Sequence, residues 1–165
     1  MEYLESLYLL SQDFMQDYPA SVYPELMHKQ GRPYSCLLIE THEGYFICVP
    51  FRSSIGHKNA FLFTGTARSK ASRSGLDYSK IVIVKESRYL DSNRPAVVDQ
   101  DEYNEMRANL PKIVEQVNRY VCTYMNHVTG KKLCTSGNTP ENMDFLRCPI
   151  FMIYWEFRNP SGNTA

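Results

Sequence analysis

The stretch VPFRSSIGHKNAF, residues 49–61, gathers Arg52, Ser53, Ser54, His57 and Lys58 directly behind an apolar run. An imidazole can give or take a proton near neutral pH. Cations can hold a phosphate, and hydroxyls can donate to its non-bridging oxygens. These groups suit transesterification of RNA without a metal. That reaction needs a base for the ribose 2′-OH, donors around the charge building on the phosphorane, and an acid for the departing 5′-oxygen. No pair of carboxylates lies nearby in the sequence to suggest a magnesium site, so two-metal hydrolysis is not expected. The same residues also have a plainer use. Paired serines after a strand commonly form a turn or cap a helix, and a single histidine is often structural or solvated. Spacing alone leaves both uses open.

A second polar group, MHKQGRPY at residues 27–34, holds His28, Lys29, Arg32 and Tyr34. It precedes PYSCLLIETHEGYFICVPF, where two apolar runs, 34–40 and 45–51, flank THEG. Gly44 can take a positive φ there, so a β-hairpin is predicted. In an antiparallel pair the segment ending at Arg32 and the one starting at Arg52 emerge at the same end of the sheet. Two basic segments would then meet at one groove. Tyr34, Tyr45 and Phe61 are either stacking platforms for unpaired bases or core residues.

The elements that must carry these groups follow from periodicity. Residues 7–11, LYLLS, read as a short strand, with Ser11 capping a helix over QDFMQDY that Pro19 ends. Residues 19–33 read as an irregular connection. The small, polar, basic segment TGTARSKASRSGL, 64–76, is expected to be a mobile loop. YSKIVIVKES, 78–87, reads as a third strand buried on both faces. DQDEYNEMRAN is a short helix with acids at its N-terminus. Asn109 caps the next helix, with Pro111 in its first turn. Ile113, Val114, Val117, Val121, Met125 and Val128 mark its buried stripe, and it stops near Gly130. A further helix is expected from Thr139–Pro140, a closing strand over PIFMIYWEF (149–157), and fraying at the C-terminal NPSGNTA. Strands first and helices later predict an α+β fold, a compact twisted antiparallel sheet or barrel-like core with flanking helices, in one domain over 1–165.

Composition sets outer bounds. The 165 residues suffice for a core without staples. With 43% hydrophobic and 22% charged residues the chain is that of an ordinary globular protein. No apolar run approaches a membrane span. MEYLESLYLL has no basic n-region, so a cytoplasmic location is expected. Five cysteines with no CxxC argue for reduced thiols over a disulfide framework or zinc site. The 18 basic and 18 acidic residues cancel but are not mixed. Arg52, Lys58, Arg68, Lys70, Arg73 and Lys80 face the single acid Asp77 between them, a local field that attracts polyanions. Nucleotide-loop and metalloprotease motifs are absent.

The ordered pattern RPYSCLLIE…GYFICVPFRSSIGHKNAF…GLDYSKIVIV, followed by a long helix, resembles the endoribonuclease toxins of type III toxin–antitoxin systems. These form the ToxN, CptN and AbiQ group, and the pattern is most similar to the CptN branch. The resemblance spans about residues 7–128. It implies a fold similar to the MazF, Kid and CcdB toxins. It also implies RNA cleavage without metal or cofactor, leaving a 2′,3′-cyclic phosphate and a 5′-hydroxyl. The partners it implies are cellular mRNA as substrate and a small antitoxin RNA. That RNA is a tandem repeat folding into pseudoknots, cut by the toxin from its precursor and closed with it into a ring-like assembly. Carried onto this chain, the essential hydroxyl falls on Ser53 and the upstream cation on Lys29 or Arg32. Relatives tend to carry threonine-serine and a nearby lysine where this chain has Arg52-Ser53-Ser54-Ile55. Lys58 is expected to supply that charge, and the identity of the general base stays open. On this basis Ser53, His57, Arg32 and Lys58 are the candidate catalytic groups. Lys29, Tyr34, Arg52, Ser54, Arg68, Lys70 and Arg73 are candidate RNA contacts, joined by Lys112, Arg119, Lys131 and Lys132 on and after the long helix. The alternative is a non-catalytic module of similar fold, either a CcdB-like toxin that blocks a protein or a passive RNA binder.

Overall fold

A computed structural model of the chain describes residues 6–24, 26, 34–40 and 44–130. Strand β1 (Ser6–Leu10) leads into helix α1 (Gln12–Asp17), where the Ser11 Oγ accepts the Phe14 amide at 3.2 Å. Phe14 is the buried residue of that short helix. It stacks on Tyr18 at 4.9 Å and meets Tyr89 edge-on at 5.7 Å. The predicted hairpin is present as β2 (Ser35–Glu40) and β3 (Phe46–Arg52), with Cys36 opposite Pro50, Leu38 opposite Cys48, and Gly44 at φ 76°. Side chains alternate across a strand, and here both sets are apolar. Leu37, Ile39, Ile47 and Val49 enter one core, while Cys36, Leu38 and Cys48 enter another with Phe14, Tyr18 and Tyr89.

Beyond the hairpin come β4 (Ala60–Leu62), α2 (Ala67–Ser72), β5 (Gly75–Asp77), β6 (Val82–Val84) and β7 (Leu90–Asp91). The antiparallel sheet has seven strands in the order β4-β5-β3-β2-β1-β7, and β6 also pairs with β3. Strand β3 is the hub: its first residues pair with β6, and Phe51 and Arg52 pair with Leu76 and Gly75 of β5. An α+β fold of antiparallel sheet and flanking helices is thus what forms. Among the described residues the sheet stays open, because β4 and β7, its two ends, have three and two residues and do not pair with each other.

Helix α3 (Gln100–Ala108) carries Asp101 and Glu102 in its first turn, and α4 (Leu110–Thr129) has Pro111 at its start and Gly130 at its end. Ile113, Val114 and Val117 of α4 cover the first core. Asn109 does not cap α4 with its side chain; its Nδ2 donates back to the Glu105 carbonyl at 2.8 Å.

Two segments depart from expectation. Residues 64–76 are ordered as α2 and β5 rather than a loop. The Thr66 hydroxyl caps α2 by accepting the Ser69 amide at 3.0 Å. Carboxylates of α3 take the amides of Thr64 (2.8 Å, Glu105), Gly65 (3.0 Å, Glu105) and Ala67 (2.8 Å, Asp101). Those partners lie far along the chain, so local composition hid them. In 78–87 only Val82–Val84 is strand, because 3-10 turns occupy Tyr78–Lys80 and Ser87–Tyr89. The Asp77 side chain starts the first of these by accepting the Ser79 amide at 2.9 Å. Cys36 and Cys48 are free and buried. Among the described residues no helix is long and apolar enough to cross a membrane. The expected helix from 139 and strand 149–157 lie outside the described residues.

Candidate functional site

The polar turn leaves the sheet where β3 meets β5. Arg52 pairs with Gly75, and Leu62 of β4 pairs with Gly75 from the other side. A Cβ at 75 would run into the Phe61 carbonyl oxygen, so only glycine lets β4 approach this closely. Two residues on, Asp77 is fully buried and accepts Arg52 Nη1 at 2.5 Å, Ser79 Oγ at 2.6 Å and the Ser79 amide at 2.9 Å. A carboxylate this deep needs such partners, since burying it alone is costly.

His57 stands at the rim of this cluster, its side chain 39% exposed. Its Nε2 is 3.2 Å from Ser79 Oγ and 3.4 Å from Asp77 Oδ1. Ser79 gives its own proton to Asp77, so the serine oxygen accepts, and Nε2 carries the hydrogen. Nδ1 is buried with no hydrogen-bond partner among the described residues. Serine and aspartate share one nitrogen of the ring. The arrangement is therefore not a hydrolase triad, in which they occupy opposite nitrogens.

Ser53 has a different set of neighbours. Its Oγ accepts from Arg68 Nε at 3.0 Å, and Arg68 Nη1 continues to Glu102 Oε2 at 3.3 Å and Asp99 Oδ2 at 3.7 Å. Glu102, 1% exposed, also accepts the Ser74 hydroxyl. The turn itself is clamped to the end of α2: the Ser54 and Ile55 amides donate to the Ser72 and Arg73 carbonyls, and Ile55 is buried beneath. Ser54 and Arg73 both adopt positive φ, 57° and 53°.

The structure therefore brings Arg52 and His57 together on one carboxylate, links Ser53 to Arg68, and ties the Ser54 amide to the Ser72 carbonyl. Lys58, Lys70 and Arg73 are exposed around them. Other candidates stand apart. Lys112, on α4, lies 5.8 Å from the Phe61 ring centroid, and Arg119 pairs with Glu115 at 2.7 Å on the exposed helix surface. Tyr34 packs against the second core and donates its hydroxyl to the Lys80 carbonyl, and burial pushes its phenol well above the usual tyrosine range. Phe61 is buried in the first core. Lys29, Arg32, Lys131 and Lys132 lie outside the described residues. Sequence reading passed over Asp77, Ser74, Ser79 and Glu102. Only Asp77 left a signal, as the single acid among six cations.

No family model and no curated protein sequence matches the chain. In fold it is similar to a solved chain described by the words "A processed non-coding RNA regulates a bacterial antiviral system". The TM-score is 0.59 at 13% sequence identity, over 93% of this chain and 98% of that one. At such identity the likeness is one of fold, and at that level the resemblance drawn from the sequence holds.

Proposed function

We propose that this chain is a single-domain endoribonuclease toxin of a type III toxin–antitoxin system with an antiviral role. It cuts cellular mRNA in the cytoplasm and is restrained by a small pseudoknotted antitoxin RNA that it processes itself. Two lines support this. The solved chain of similar fold belongs to work on a processed non-coding RNA that regulates an antiviral system. The observation that carries the chemistry is the clamped turn at the end of β3, which holds Ser53, Ser54, His57 and Lys58 directly after Arg52.

In this reading Ser53, Ser54 and the Arg52 nitrogens other than the Nη1 held by Asp77 grip the scissile phosphate by charge and hydrogen bonds. His57 and Lys58 move the protons. One takes the 2′-OH proton as the 2′-oxygen bonds to phosphorus. The other gives a proton to the 5′-oxygen as the bond from phosphorus to that oxygen breaks. A 2′,3′-cyclic phosphate and a 5′-hydroxyl result. To engage, His57 gives up its Nε2 contacts with Ser79 and with the Asp77 carboxylate.

The test is incubation of the purified protein with RNA in EDTA. The parent is expected to cut and to leave cyclic-phosphate ends, and Ser53→Ala and His57→Ala are expected to bind RNA without cutting it. Two variants cutting as fast as the parent would dismiss this site. A parent that binds RNA and never cuts it would leave a passive binder. Sequencing small RNAs that co-purify from the native operon tests the antitoxin partner separately.

A further inference from the structure

Arg68 is one of the cations offered to RNA by sequence, yet its guanidinium turns inward. Its side chain is 35% exposed, and two of its three nitrogens are engaged, Nε on Ser53 Oγ at 3.0 Å and Nη1 on Glu102 Oε2 at 3.3 Å. Glu102 is 1% exposed, and among the described residues Arg68 is the cation in ion-pair range of it. Swinging Arg68 away from Glu102 would strand that buried carboxylate, which burial without a counter-charge makes costly. Arg68 therefore stays where it is.

The consequence falls on Ser53. The arginine N–H occupies a lone pair of its oxygen, and no acceptor takes the Ser53 proton among the described residues. A hydroxyl that accepts a charge-assisted bond is polarised and donates more strongly. We infer that Arg68, anchored by Glu102, is a positioning residue that fixes Ser53 with its O–H free to donate to the reacting phosphate. This rests on the nuclease reading above. It makes Ser53 the hydroxyl that Arg68 serves and gives the buried Glu102 a role in the site.

Lysine in place of Arg68 keeps the charge but cannot bridge two oxygens as a planar fork does. The experiment uses the full chain and an RNA oligonucleotide that the parent cleaves in EDTA. It measures kcat and KM for the parent, Arg68→Lys and Glu102→Gln. It also measures binding of a 2′-O-methyl analogue by the parent and Arg68→Ala across a salt series. For a positioning role kcat falls by up to about 100-fold in Arg68→Lys while KM is unchanged, and Glu102→Gln follows it. The salt slope of Arg68→Ala matches that of the parent. An Arg68→Lys protein with parental kcat overturns the inference. So does a slope in Arg68→Ala shallower by about 0.7, the signature of one lost phosphate contact on a single strand. Circular dichroism checks folding, and Arg68→Lys decides alone if Glu102→Gln does not fold. A parent without cleavage removes the nuclease reading and this inference with it. A cleaving parent with an indifferent Arg68→Lys removes the inference only.

Discussion

The Arg52 guanidinium and the Asp77 carboxylate meet at 2.5 Å, with Asp77 fully buried and the Arg52 side chain 27% exposed. Asp77 is thus the keystone of the cluster, since it also holds Ser79 and faces His57. Asp77→Ala leaves the cation without its partner at a half-buried position. A loss of about 3 kcal/mol in unfolding free energy is expected, read from the urea midpoint. Arg52→Met combined with Asp77→Leu is expected to recover most of it. A single variant within 1 kcal/mol of the parent, on the order of an exposed pair, would show that the pair is not structural.

Ser53→Ala removes one donor from the site without touching the backbone clamp. By comparison with other oxyanion donors, kcat is expected to drop roughly 100- to 1,000-fold. RNA affinity and the thermal midpoint should stay close to parental. A parallel fall in stability would mean that Ser53 holds the turn rather than the phosphate.

Ser54 sits at φ 57°, where an L side chain is strained. Ser54→Gly is expected to be as stable as the parent or about 1 kcal/mol more so, and Ser54→Val less stable. The urea midpoints of the two variants check this, and the reverse order would mean that the turn does not hold this conformation in solution.

Gly75 lies between β3 and β4 with no room for a methyl group against the Phe61 carbonyl. Gly75→Ala is expected to cost about 1–3 kcal/mol, a thermal shift of roughly 2–4 °C per kcal/mol. Cleavage should fall as well, because β5 carries Asp77. A parental melting curve would contradict the close approach of the two strands.

Buried phenols make the fold sensitive to alkali. Burial raises Tyr34 well above the usual tyrosine value and raises Tyr78 as well, and burial with the Asp17 hydrogen bond brings Tyr89 to about 12. Above pH of about 10 an unfolded chain loses these protons while the native chain keeps them. The native state then binds more protons, so stability present below that pH falls as pH rises. Phenolate absorbance should lag in the native protein and jump on unfolding. Simultaneous titration of all tyrosines in the folded chain would contradict this.

Much of the scaffold was legible from local pattern. Ser11 and Pro19 bracket α1, the runs around Gly44 form the hairpin, and Pro111 and Gly130 bound α4. In each case the signal is short-range: a cap, a turn residue or a helical stripe acts within a few positions of where it is read. The cluster of hydroxyls and cations at 52–58 was equally visible, because residue type is itself the signal.

What the tertiary structure decided is which of those groups face each other. The segment 64–76 reads as a loop until Asp101 and Glu105, more than thirty residues on, satisfy its amides. Arg68 looks like a free cation until Glu102 draws it onto Ser53. The chain alone determined an open set of ionisable groups on an α+β sheet. Burial decided their partners, because a carboxylate removed from water must find its counter-charge wherever the fold places one.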